Sequence, residues 1–227
     1  MILTWGIILI SLVAVLIGYV LIQEARAQRH WRHLVEHGDV AAIRQLLAQE
    51  MDRWRTGRVP KGVDPGLWRG VQGAEIAAAG PDYVQLQATA EGEYRFQGGQ
   101  RVETLSPFDA ATRLAAKLVD VVMFDVPNMR LGICRVDVYT AFVQPDGARA
   151  QQCILSITAD RAAVDNLAWD QLRPREIVDR MEPVYRFDVR GNALPVDPPA
   201  SFSDETPAAA SETSTEEELR RNGRHRK

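Results

Sequence analysis

Cysteine is scarce in this chain of 227 residues, and histidine is nearly confined to one short segment. Two cysteines, Cys134 and Cys153, are too few for a disulfide-stapled secreted scaffold and match no paired metal-ligand spacing. The four histidines are His30, His33, His37 and His225. A histidine-dependent catalytic triad within the central part of the chain is thereby excluded. No G-x-S-x-G occurs, and Gly66, Gly70 and Gly73 have neither P-loop nor dinucleotide spacing. Pro81-Asp82 opens a strand in the manner of some metal-dependent nucleases, yet no Glu-x-Lys follows on the next strand. The residues therefore propose no catalytic group, no metal ligand and no cofactor.

Charge is missing altogether from the first 23 residues. Ile2 to Ile22 is apolar throughout and, at about 1.5 Å per residue, makes a helix of roughly 31 Å, the thickness of a hydrocarbon core. Residues 1–23 are thus expected to form one transmembrane helix, with Trp5 and Tyr19 as interfacial anchors. Ala25-Arg26-Ala27 resembles a signal-peptidase site, but the apolar run exceeds an h-region and no basic segment precedes it. Arg26, Arg29 and Arg32 follow the span, so the positive-inside rule predicts a single-pass protein of the cell membrane. Its N-terminus lies outside and its C-terminal domain in the cytoplasm. Unpaired thiols fit that reducing compartment. Ser11, Ala14 and Gly18 form a small-residue stripe through which two copies could pair as a homodimer.

Residues 24–38 read as a basic juxtamembrane helix against the lipid bilayer. Glu24 to Arg69 holds nine Lys/Arg and six Asp/Glu, while the chain as a whole carries a net charge of −3. His33 and His37 have a spacing that can chelate a divalent ion, but Arg29 and Arg32 oppose a cation there. Arg53, Trp54, Arg55, Arg58, Lys61, Trp68 and Arg69 interleave cations with aromatics. The periodicity places both tryptophans in the core, and the acidity of the rest of the chain argues against nucleic acid.

An α+β domain is expected over residues 39–192, two-layered, with a mostly antiparallel sheet of about five strands and packed helices. Asp39 caps a helix from Val40 to about Arg55, and Asp64 with Pro65 opens a short one. Gly38 to Ile43 looks like one fragment of an ankyrin repeat, without a second copy. Val71–Ala79, Tyr83–Phe96 and Arg101–Leu105 read as a meander. Ser106-Pro107 opens a helix to about Asp125 with Phe108, Ala111, Leu114, Ala115, Leu118, Val119 and Val122 on one face. Leu131–Gln144 and Ala150–Asp160 form a hairpin that keeps the two cysteines apart. A curved cystatin-like or NTF2-like sheet is the alternative arrangement, an analogy of fold that carries no function.

On the polar side of that hairpin, Arg135, Asp137 and Tyr139 could meet Ser156 or Thr158. This patch is either a site or a cross-strand ion pair. From about Ala193 the composition turns to Pro, Ala, Ser, Thr, Glu and Asp, so 193–227 is expected to be a disordered tail ending in a basic tip. The function these features suggest is a membrane-tethered, non-catalytic interaction domain with a protein partner. A small-ligand-binding domain or a hydrolytic enzyme on the cytoplasmic face is the alternative.

Overall fold

A computed structural model describes residues 16–19, 23, 39–127 and 129–202. Trp5, Ser11, Ala14, Arg26, Arg29, Arg32, the three clustered histidines and the tail from residue 203 lie outside the described residues. Among the described residues no helix is long and apolar enough to cross a membrane, and most of Ile2 to Ile22 is not among them. Of the expected interfacial pair only Tyr19 is described. It is exposed and accepts a hydrogen bond from Gln23 Nε2 at 2.9 Å.

The remainder is an α+β domain built on a mixed sheet of five strands. Helix α1 (Val40–Thr56) begins where expected, with Asp39 Oδ1 accepting from the amides of Ala41 and Ala42. Helix α2 (Pro65–Gln72) is capped by Asp64, which accepts from Leu67 N, and has Pro65 at its first position, where no amide is needed. Strands β1 (Glu75–Ala79) and β2 (Tyr83–Thr89) follow as an antiparallel pair. Then come β3 (Glu93–Gln97), β4 (Gln100–Leu105) and α3 (Pro107–Asp120), which widens into a π-helical turn at Val121–Asp125. Strands β5 (Ile133–Val143) and β6 (Arg149–Asp160) form the long hairpin. Helices α4 (Arg161–Asp165) and α5 (Pro174–Val178) and strands β7 (Pro183–Val184), β8 (Arg186–Phe187) and β9 (Ala193–Leu194) complete the chain.

The strand order is β1-β2-β5-β6-β7. Five strands and a predominance of antiparallel pairing agree with expectation, but the membership differs. The expected strand Tyr83–Phe96 breaks at Ala90-Glu91-Gly92, and β3 with β4 leaves the sheet as a separate two-stranded hairpin. Their places are taken by β7 at one edge and by a parallel β2–β5 pairing at the centre. The parallel step follows from connectivity: α3 must bridge β2 to β5 to bury its apolar stripe, and a helical crossover returns a strand in the same direction.

Asp82 fixes the start of that parallel pair. Its carbonyl accepts from the amides of Gly132 and Ile133, and its Oδ1 accepts from Gly132 N at 2.7 Å. A β-carbon at Gly132 would overlap the Asp82 carboxylate, so a side chain there would push that carboxylate off the Gly132 amide. Asp82 thus has a structural duty.

One face of the sheet carries the core. Helix α3 lies against β5 and β6 and touches α2 and α5. Leu114, Leu118, Val119, Leu86, Val136, Val138, Leu155 and Ile157 are fully buried between them. Trp68 is in the core and Trp54 packs against it, as their helical positions required. Arg53 pairs with Glu50, and Arg55 pairs with Asp52 while donating to the carbonyls of Gln72 and Ala74. The cation-aromatic stretch is therefore dispersed into helix packing.

Candidate functional site: a buried polar cluster under a C-terminal strap

The second face of the sheet carries the polar residues that alternation assigned to it. Along β5 the burial of Cys134, Val136 and Val138 on one side forces Arg135, Asp137 and Tyr139 to the other. The β2–β5 register sets Gln85 beside Arg135, and the β5–β6 register sets Ser156 opposite Asp137 and Thr158 opposite Arg135. Four of these side chains interlock.

Asp137, with no exposed surface, is the hub. Its Oδ2 accepts from Gln85 Nε2 at 2.7 Å, and its Oδ1 accepts from Ser156 Oγ at 2.6 Å and Arg135 Nε at 3.3 Å. Arg135 is 2% exposed and has further N–H groups to satisfy. They are met by the chain's own C-terminal segment: Nη1 donates to the Ala200 carbonyl at 2.7 Å and Nη2 to the Pro199 carbonyl.

The boundary read from composition, Ala193, therefore falls short of the ordered chain. Ala193–Leu194 is β9, paired with β8, and Pro195–Phe202 runs on as a strap over the polar face. Val196 N donates to the Cys153 carbonyl at 2.8 Å, Ser201 Oγ donates to Gln85 Oε1 at 2.9 Å, and Arg186 Nη2 holds the Pro195 carbonyl at 2.7 Å. Phe202 packs on Tyr83 with ring centroids 4.7 Å apart, and the Arg135 guanidinium lies 5.6 Å from the same ring. A segment low in bulky apolar residues is ordered here because a buried guanidinium needs acceptors, and prolines present carbonyls on a chain with little entropy left to lose.

Tyr139 stays outside the cluster. A β-bulge at Ile154 brings Cys153 opposite Tyr139, away from the core face where strict alternation with Leu155 and Ile157 would place it. Tyr139 instead borders an open polar trough of about 360 Å³, with Glu75, Gln87, Thr89 and Gln151. Its phenol is raised above its ordinary value, first by burial and then by Cys153 and Asp137.

Both thiols are free and buried. Burial pushes Cys134 up to about 12; burial, then the Asp137 carboxylate, pushes Cys153 up to about 11. A raised thiol pKa lowers the thiolate fraction, so at neutral pH both cysteines hold far less nucleophile than an ordinary cysteine. Iodoacetamide at neutral pH should leave both unmodified in the folded protein and modify both after denaturation. Fast labelling of either thiol in the native state would show that its cover opens.

A larger concavity, about 440 Å³, lies on the helical side between α2, α3 and the turn that leaves β2. Gly66, Gly70 and Gly73, dismissed as a phosphate motif, clear one wall of it. At Gly70 a β-carbon would stand 2.9 Å from Leu114 Cδ1, so glycine there permits close approach of α2 and α3. Arg69 and Arg113 line it together with Asp64, Glu91 and Glu93, a lining of mixed sign without a buried charge.

Chemically, the polar cluster is closed. Asp137 already accepts three hydrogen bonds, Ser156 already donates to it, and the strap lies across the approach. Among the described residues no group of three His, Cys, Asp or Glu side chains could hold a metal ion. The indole N–H of Trp68 is the single buried side-chain polar atom without a partner among those residues. Periodicity put Arg135, Asp137 and Tyr139 on one face with Ser156 or Thr158 across from them; it gave no hint of the strap, whose contacts with Arg135 and Gln85 span 64 to 116 residues of sequence. No protein-family model matches the chain, and no curated protein or solved structure is significantly similar to it.

Proposed function

We propose that this protein is a membrane-tethered, non-catalytic interaction domain. Ile2 to Ile22 would anchor it, Arg26, Arg29 and Arg32 would keep the domain on the cytoplasmic side, and the strap would present the charged tail beyond Phe202 to a protein partner. The observation that carries this reading is the use made of the buried polar cluster: its arginine grips an extended segment of chain by two main-chain carbonyls. A catalytic carboxylate or serine needs an open lone pair or a reachable oxygen. Here both groups are engaged within the fold and covered.

The strap supports an interaction role in a second way. It fixes the root of the tail to the centre of the sheet, so whatever the tail binds is kept within the tail's reach of the domain. Small-ligand binding is the second reading, favoured by the 440 Å³ concavity, which has an apolar wall at Leu114 and two arginines at its rim.

The test is affinity purification of the detergent-solubilised full chain beside a chain ended at Phe202, which leaves the strap in place. A protein that co-purifies in stoichiometric amount with the full chain and is lost with the tail supports the reading. Recovery of a small molecule from both forms, with no protein, replaces it by the ligand-binding one. Topology is read separately: a cysteine introduced at Ser203 should resist membrane-impermeant thiol reagents in intact cells and react after lysis. Efficient labelling in intact cells would place the domain on the outer side.

A further inference from the structure

The hairpin that leaves the sheet is the feature that neither the core nor the strap explains. Strands β3 and β4 pair only with each other, and nearly every residue between Glu93 and Thr104 is exposed. Its turn, Gly98-Gly99, has both φ angles positive, at 58° and 81°, the geometry of a tight two-residue hairpin that only glycine adopts without strain. The hairpin is therefore closed by a tight turn and stands apart from the five-stranded sheet. At its base Gly92 fits against the Leu105 carbonyl and Pro107, fixing the direction in which it points.

The side chains on this projection are sorted along its length. Phe96, beside the turn, is 80% exposed, and Tyr94 on the same face is 43% exposed. Arg101 stacks over the Tyr94 ring at 3.8 Å, and Arg95 emerges opposite Val102 on the other face. Of the acids, Glu91 and Glu93 sit at the base and Glu103 stands directly across from Tyr94, so only the outer part of the hairpin, from Arg95 to Arg101, is free of them. The tip is thus aromatic and cationic with no acid, and the root is acidic. Aromatic rings flanked by arginines match a surface that is anionic outside and apolar just beneath, which is the interface of an anionic bilayer.

We infer that the β3–β4 tip docks on the membrane surface, Phe96 entering the interfacial layer and Arg95 and Arg101 pairing with anionic headgroups. This rests on the tether reading above, which supplies the surface at close range. From Ile22 to Asp39 a helical linker is about 25 Å long, and even an extended one reaches only about 60 Å. A domain so held meets the bilayer continually, and a second fixed contact would set its orientation.

The experiment uses the full chain with Phe96→Cys carrying an environment-sensitive nitrobenzoxadiazole label, since the buried native thiols do not compete for it. It is reconstituted in vesicles of phosphatidylcholine alone and of phosphatidylcholine with phosphatidylglycerol. Emission should rise several-fold and shift to the blue in the anionic vesicles, and lipid spin-labelled near the headgroup should quench it. The Arg95→Glu, Arg101→Glu variant should lose most of the rise while melting at the same temperature, because both side chains are exposed. Flotation of the same samples reads the tether independently. A chain that floats but keeps a water-like label in anionic vesicles overturns the docking inference alone; a chain that does not float overturns the tether and the docking with it. A label shielded in proportion to protein concentration, without lipid, assigns the tip to a second copy and also overturns it.

Discussion

Asp137→Ala should destabilise the domain by about 3–5 kcal/mol, because it leaves the Arg135 guanidinium buried without its anion. Two further donors, Gln85 Nε2 and Ser156 Oγ, lose their acceptor in the same step. For a chain of this size such a loss lowers the melting temperature by roughly 6–20 °C. Calorimetry or chemical denaturation checks it. Replacing the pair, Arg135→Met with Asp137→Leu, should recover the part of the loss that comes from the unpaired guanidinium, but not the part that comes from Gln85 and Ser156, which still lack their acceptor. The strap should then loosen around Pro199 and Ala200, whose carbonyls have lost their donor, while Val196 and the Pro195 carbonyl stay held. Limited proteolysis would show new cleavage between Pro195 and Phe202 in the double variant. If Asp137→Ala melts within about 3 °C of the parent, the cluster contributes under about 1 kcal/mol and does not hold the strap.

Leu118→Asp should abolish folding, whereas Lys117→Ala should be nearly silent. Leu118 is fully buried where α3 meets the sheet, and an unpaired carboxylate there costs several kcal/mol, comparable with the stability of the whole domain. Lys117, one residue earlier, points to the rim and pairs with Asp120 at 2.6 Å. Losing a half-buried pair of this kind costs at most about 1 kcal/mol. Far-ultraviolet circular dichroism and a denaturation curve on each variant separate the outcomes. Equal stability of the two would mean that α3 presents another face to the sheet.

These two sites mark how much of the fold and of the polar cluster was legible beforehand. Leu118 is a local matter. The 3.6-residue period of Phe108, Ala111, Leu114, Leu118 and Val122 assigns the buried face without reference to anything else in the chain. Caps at Asp39, Asp64 and Ser106 are local in the same sense: a side-chain oxygen reaches an amide two or three residues on. Asp137 is half local. The period of two in β5 puts it on the polar face, and the turn at Asp146-Gly147 puts Ser156 across from it. Whether that face is wet, catalytic or closed depends on a segment more than sixty residues away.

What the sequence alone determined is the α+β class, the helix caps, the apolar face of α3, the β5–β6 hairpin with its unbridged cysteines and the placing of Arg135, Asp137 and Tyr139 on the second face of β5. Each follows from periodicity or turn chemistry within about twenty residues. Tertiary structure alone decided the parallel β2–β5 pairing, the ejection of β3 and β4 from the sheet, the bulge that turns Cys153 away from the core, and the strap across Arg135. The physical reason is common to all four. A strand's partner, and the order of a polar segment, are fixed by the need to satisfy buried amides, carbonyls and one guanidinium, and that need arises only once the layers have packed.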